Sequence, residues 1–140
     1  MDNGQMDLFD LLEGHGQWLL SNIPEGGKND CGVFVDNVLK FREGKLTRDN
    51  IEIKLCRFGK YIYYEFDYMV GTYGSGSPIN EQSFNCHRNN SIKTLVDAIY
   101  NDFIHSVCGY DRNLDNYKEG KKKLVALCRK ACDRIAKYVA

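Results

Sequence analysis

The 140-residue chain predicts an α+β fold: a three-stranded antiparallel sheet packed against two C-terminal helices, with an N-terminal helix before it. Three observations carry this expectation. Residues 51–58 and 61–70 alternate apolar and polar side chains around Gly59, as a hairpin with one buried face would. Residues 92–107 place Ile92, Leu95, Val96, Ile99, Phe103 and Val107 at the three-and-four spacing of a helix with one apolar stripe. Residues 117–139 repeat that spacing through Leu124, Cys128, Ala131, Ile135 and Val139.

Along the chain, residues 1–29 read as an acidic N-terminal tail with a short apolar segment, and residues 30–140 as a single domain. Gly14, Gly16, Pro24, Gly26 and Gly27 punctuate the tail, and Trp18, Leu19, Leu20 and Ile23 are expected to pack onto the domain. Residues 30–45 are read as helix: Asp30 is a cap, Phe34, Val38 and Phe41 share a face, and Gly44 is the stop. The stretch CGVFV at 31–35 would read as strand on its own. In the hairpin, Ile51, Ile53 and Leu55 face inward with Ile62, Tyr64, Phe66, Tyr68 and Val70. Residues 71–78 (GTYGSGSP) read as a loop, and 79–87 as a weaker third strand with Phe84 and Cys86 inward. Asn90 or Ser91 caps the next helix, Gly109 ends it, and a polar connector (YDRNLDN) leads to the last helix, whose first turns Gly120 weakens.

Composition narrows the function classes. A hydrophobic fraction of 43% is ordinary for a globular domain and argues against disorder of the whole chain. No apolar run reaches the length of a membrane span, and the first residues carry acids where a signal peptide needs bases. The expectation is a cytoplasmic protein without a membrane partner. Cys31, Cys56, Cys86, Cys108, Cys128 and Cys132 are then reduced thiols rather than disulfides.

Each candidate for catalysis or metal binding meets a geometric objection. Cys86 and His87 are neighbours on a strand and point to opposite faces, so they cannot act as nucleophile and base together. Cys128 and Cys132 share a helix face, but zinc would need remote ligands from Cys86, His87 or Cys108. The glycines of 71–76 lack the Lys-Ser/Thr ending and the following helix of a phosphate loop. No catalytic residue, metal site or cofactor is expected, and the chain reads as non-enzymatic.

Charge is zero overall but uneven. Residues 1–30 hold six acids and one lysine; residues 117–140 hold eight bases and two acids. Lys121, Lys122, Lys123, Arg129 and Lys130 are therefore candidate phosphate contacts for a nucleic acid, or a dock for the acidic tail. Tyr61 and Tyr63, with Lys54, Arg57 and Lys60 nearby, form a second candidate face, although Glu65 and Asp67 share it. The order helix, three strands, helix loosely resembles a double-stranded-RNA-binding domain. The resemblance stops at topology, because Asn90-Ser91-Ile92-Lys93 stands where that family has Ser-Lys-Lys.

The tail carries the sharpest motif. Gln5-Met6-Asp7-Leu8-Phe9 resembles the linear motif by which bacterial polymerases and repair proteins bind the DNA sliding clamp. That pattern is Gln, an aliphatic residue, Ser or Asp, Leu and Phe, with Met6 here in the aliphatic place. The resemblance spans five residues and implies Leu8 and Phe9 as apolar anchors and Gln5 as a polar contact. The competing expectation is a short helix packing Leu8, Leu11 and Leu12 on the domain. In general style the tail resembles the starts of small phage and mobile-element accessory proteins, some of which inhibit host defences, anti-CRISPR proteins among them. The resulting expectation is an accessory protein that binds a host factor, with the sliding clamp as the candidate. The alternatives are a defence inhibitor acting through the folded domain and a nucleic-acid binder using the last helix.

Overall fold

Alternation along residues 50–70 becomes the centre of an antiparallel sheet. In the computed structural model residues 22–81, 86–88 and 92–139 are described, with backbone alone at 86–88. The strands are β1 (Gly27–Lys28), β2 (Phe34–Asp36), β3 (Leu39–Gly44), β4 (Asn50–Phe58), β5 (Tyr61–Val70), β6 (Tyr73–Gly76) and β7 (Cys86–Arg88). β3, β4 and β5 lie in that order, and β6 and β7 share the far edge of β5. β1 and β2 form a separate two-stranded sheet. The helices are α1 (Ile92–Asp102), continued by a π-helical turn (Phe103–Val107), and α2 (Lys118–Val139), with a 3₁₀ turn (Arg112–Asn116) between them. The protein is thus α+β, with two helices against an antiparallel sheet as expected. No helix among the described residues is long and apolar enough to cross a membrane.

The expected hairpin is present in register, with Phe58 opposite Tyr61 and Ile53 opposite Phe66. Its inward set, Ile51, Ile53, Leu55, Ile62, Tyr64, Phe66, Tyr68 and Val70, is buried. Phe103 of the π turn, fully buried, packs its ring 5.2 Å from Phe66 and 6.0 Å from Tyr68. Burial of this kind is what holds a helix on a sheet, and truncating such a phenylalanine typically costs about 3–5 kcal/mol. From α2, Leu124, Cys128, Ala131, Cys132, Ile135 and Val139 complete the same core. Gly120 packs its Cα against β5, because a Cβ there would overlap Val70 Cγ1. The residue that weakens the helix end locally is the one that lets the helix approach the sheet.

The expected N-terminal helix is not formed. Residues 34–36 and 39–44 are strands, separated at Asn37, whose φ of 59° no continuous helix accommodates. Phe34 and Phe41 have helical spacing but serve opposite sides of the main sheet. Phe41 joins the main core, whereas Phe34 joins a small cluster with Cys56 and Ile79 on the other face. A single helical stripe could not divide its residues in this way. Strands at 34–36 and 39–44 thus stand where the loose likeness to a double-stranded-RNA-binding domain had its helix.

Two further expectations change. The glycine-rich 71–78 stretch contains β6, paired from Asp67 with Gly76 to Val70 with Tyr73. Of the expected third strand, the described residues show Asn80 bridging Val33 and Cys86–Arg88 pairing with β5. The expected inward direction of Phe84 and Cys86 lies outside the described side chains. Residues 22–29, assigned to the tail, belong to the folded body. Ile23 is fully buried, and Arg57 Nε donates to its carbonyl at 3.1 Å.

Candidate functional site

β5 and β6 meet the corner between the π turn and the 3₁₀ turn around one carboxylate. Tyr68 points to the core side of β5, opposite Ser75 of β6, and Tyr73 opens β6 beside Val70. Asp111 lies at the start of the 3₁₀ turn and caps it, accepting from Asn113 N–H at 3.1 Å. Its Oδ2 accepts from the Tyr68 hydroxyl, and from the Tyr73 hydroxyl at 2.7 Å. Asn113 Nδ2 approaches the Tyr73 oxygen at 3.4 Å. A sheet edge and a helical corner are thereby tied by charge-assisted bonds, which are stronger than neutral ones.

The electrostatics follow from this geometry. Burial alone would raise the Asp111 carboxyl. The hydrogen bonds from Tyr68, Tyr73 and Asn113 outweigh it, so the net shift is below the ordinary carboxylate value. Burial, then the hydrogen bond to Asp111, pushes the Tyr68 hydroxyl well above its ordinary range. Asp111 is therefore a fixed anion near neutral pH, and Tyr68 a fixed neutral donor.

The corner leaves a cavity of about 400 Å³. Glu65, Phe66, Tyr68 and Tyr73 form one side; Ser75, Ser77, Ser106, Tyr110 and Asp111 contribute most of the rest. Tyr110 stands at it with 81% of its surface exposed. The π turn makes the corner possible: Cys108 N–H bonds to Phe103 C=O at 2.9 Å, one residue further back than in an α-helix. Gly109 follows at closest approach, since a Cβ there would meet the carbonyl oxygen of His105. None of these residues stood out in the sequence as a site. The connector YDRNLDN is polar like any loop, and Tyr68 and Tyr73 are ordinary strand residues until folding brings Asp111 between them.

The basic residues of α2 do not form one free face. Lys121 pairs with Asp115 at 3.2 Å, Lys122 with Glu119 at 3.5 Å, and Lys123 with Asp49 at 3.8 Å. The Arg129 guanidinium lies 4.0 Å from the Tyr100 ring centroid, a cation–π contact within the domain. Arg134 donates to the Arg42 carbonyl on β3 at 2.8 Å. Lys130 is exposed. Lys123 also lines a hollow of about 320 Å³ with Lys45 and Arg48, two bases more than seventy positions away that no local pattern groups with it. Of the aromatic pair, Tyr63 packs 5.3 Å from Phe34 beneath the small sheet, while Tyr61 remains 44% exposed.

Cys128 and Cys132 are buried in the main core. The hydrogen bond between them, then burial, pushes the Cys128 thiol well above its ordinary value, which suits a packing group rather than a nucleophile. Among the described residues no three His, Cys, Asp or Glu side chains gather in a way that could hold a metal ion. Gln5, Met6, Asp7, Leu8 and Phe9 lie outside the described residues, so the tail motif stands on its sequence.

Comparison of the chain with family models, with curated proteins and with solved structures finds no match.

Proposed function

We propose that this is a small non-enzymatic accessory protein that binds a host factor through its tail, with the DNA sliding clamp as the candidate partner. The observation that carries the reading is the five-position fit of Gln5-Met6-Asp7-Leu8-Phe9 to the clamp-binding pattern. Leu8 and Phe9 supply the apolar anchors and Gln5 the polar contact. Tail and folded body are also separable in sequence. Phe9 lies fourteen positions before Ile23, the first buried residue of the described core. Fully extended, that spacing spans at most roughly 50 Å, enough for an anchor to enter a groove while the domain stays outside it. The test is clamp binding by the full chain and by its Leu8→Ala/Phe9→Ala variant. The reading expects micromolar-range binding, about −8 kcal/mol, lost in the variant. Absent wild-type binding, or binding that the variant retains, rejects it.

A second reading has the folded domain act, by occluding a host defence protein or sequestering a small ligand. The pocket around Asp111 favours it, since concave sites with a few convergent polar groups are where small ligands bind. Here deletion of residues 1–13 should leave the inhibitory or binding activity intact. The nucleic-acid reading is weaker, because most of its bases are paired within the domain.

A further inference from the structure

We infer that the hollow between the β3–β4 turn and α2 is a binding site for a small phosphate monoester with an apolar or aromatic carbon portion. The site is independent of the tail and of the cavity at Asp111.

The turn is held from within the fold. Residues 45–49 join β3 to β4, and the Lys45 N–H donates to the Asp49 carbonyl at 3.3 Å. The Arg48 N–H donates to the Lys45 carbonyl at 3.0 Å. Buried Asn50 donates from Nδ2 to the Lys45 and Arg48 carbonyls at 3.0 and 2.9 Å. These bonds fix the backbone and engage its acceptors. What the turn presents to solvent is the side chains of Lys45 and Arg48, both exposed. Neither forms an ion pair among the described residues. From the other side α2 adds Lys123 to the same hollow.

Charge then selects the ligand. Among the described residues lining the hollow, Asp49 is the one carboxylate. Its Oδ1 accepts from the Gly71 N–H at 3.2 Å, and its Oδ2 stands 3.8 Å from Lys123. The neighbouring acids are engaged elsewhere, Glu43 with Arg134 at 3.8 Å and Glu119 with Lys122 at 3.5 Å. Three bases against one carboxylate leave two positive charges in excess. A concave place lined by one sign of charge concentrates counter-ions. A phosphate monoester carries a charge of about −1.5 to −2 near neutral pH and three acceptor oxygens, so it balances that excess. A lone carboxylate balances half of it. The guanidinium fork of Arg48 also matches phosphate oxygens in pairs.

Shape supplies the rest. Ala126 and Leu127 of α2 form the apolar part of the lining, and Leu127 is packed against the main core, which makes it a firm wall for a ring. A volume of about 320 Å³ is at the small end of ligand pockets, the size of one compact molecule. A nucleic-acid strand finds no continuous track beyond it, because Arg129 lies on Tyr100 and Arg134 is bonded to β3.

The test is amide NMR on the isotope-labelled full chain at low salt. The probes are AMP, adenosine, inorganic phosphate, the capped tripeptide Glu-Leu-Glu and a short thymidine oligonucleotide. AMP should give saturable shifts in the amides of Lys45, Arg48, Lys123 and Leu127. Adenosine should give none, and inorganic phosphate should bind more weakly than AMP. The Lys45→Gln/Arg48→Gln variant should bind AMP about ten-fold more weakly, as loss of charged hydrogen bonds does. Lys40→Gln, which removes an exposed base of β3 outside the hollow, should leave binding unchanged. The substituted side chains are exposed and the bonds that hold the turn remain, so the fold should persist, as unchanged shifts in β5 would verify. The proposal is overturned by the absence of a saturable shift with AMP, by an equal response to adenosine, or by AMP binding no tighter than inorganic phosphate. Undiminished binding by the folded double variant, or equal weakening by Lys40→Gln, overturns it as well. Tighter saturation by the tripeptide or the oligonucleotide would replace it with an acidic protein or a nucleic acid as the partner.

Discussion

Asp111 ties two strands to the helical corner through one carboxylate. It accepts from two tyrosines on neighbouring strands and from the backbone of the turn it caps. Replacing it by alanine leaves the Tyr68 hydroxyl, on a residue only 8% exposed, without its acceptor. The expected loss is about 2–3 kcal/mol in urea unfolding, against about 1 kcal/mol for Tyr73→Phe. Equal, small losses for both would show that the carboxylate is not central. The same residue predicts a pH effect. Its folded-state pKa lies below the ordinary 3.8, so it adds stability above that value. This stability is lost as pH falls through 3.8 towards the lower folded value. Wild type should therefore lose its margin over Asp111→Asn in that acidic window, as thermal unfolding between pH 6 and pH 2.5 would reveal. Tyr68 acts at the alkaline end. Its pKa is raised, so its contribution is full below the ordinary value of 10 and declines as pH rises beyond it. Asp111 was invisible as a site in the sequence because an aspartate in a polar connector is indistinguishable from a turn former. Only its placement between two strands gives it partners.

Among the elements, α2 and the β4–β5 hairpin follow directly from periodicity, and the difficult positions are those where two elements touch. Gly120 is the test case. On propensity alone Gly120→Ala should stabilise a helix by about 1 kcal/mol. In the fold a Cβ would overlap Val70, and overpacking of this kind costs about 1–3 kcal/mol. The variant should be destabilised, and Val70→Ala should partly rescue it in a double-mutant cycle. A stabilised Gly120→Ala would mean that the helix stands further from β5. Residues 30–45 show the reverse lesson. A helical spacing was legible there, yet β3 pairs with β4 from Leu39 with Leu55 to Gly44 with Asn50. Strand pairing won because an edge position beside β4 was open to it, a fact that no local window of sequence contains. The basic stripe of α2 likewise read as one surface. Asp115, Asp49, Tyr100 and the β3 carbonyl divide it into separate contacts, because the residues that pair with it come from elsewhere in the fold.

For the whole molecule, the role proposed for the tail makes a further prediction. If Gln5–Phe9 serve a partner, the Leu8→Ala/Phe9→Ala variant should unfold at the wild-type midpoint within about 0.5 kcal/mol, the usual range for substitutions away from a core. A loss of about 2 kcal/mol or more would instead favour the packed-helix expectation for Leu8, Leu11 and Leu12. What the sequence determined by itself was whatever repeats with a local period: the α+β class, the central hairpin, two amphipathic helices and the five-residue motif. These rest on side-chain alternation and helical spacing, which hold whatever the rest of the chain does. Only the tertiary structure decided that residues 34–44 are strands, that 71–78 contributes β6, and that Tyr68, Tyr73 and Asp111 enclose a polar cavity. The last of these is made by residues 38 to 43 positions apart. Contacts over that separation exist only once the core around Phe66 and Phe103 has brought the sheet edge and the helical corner together.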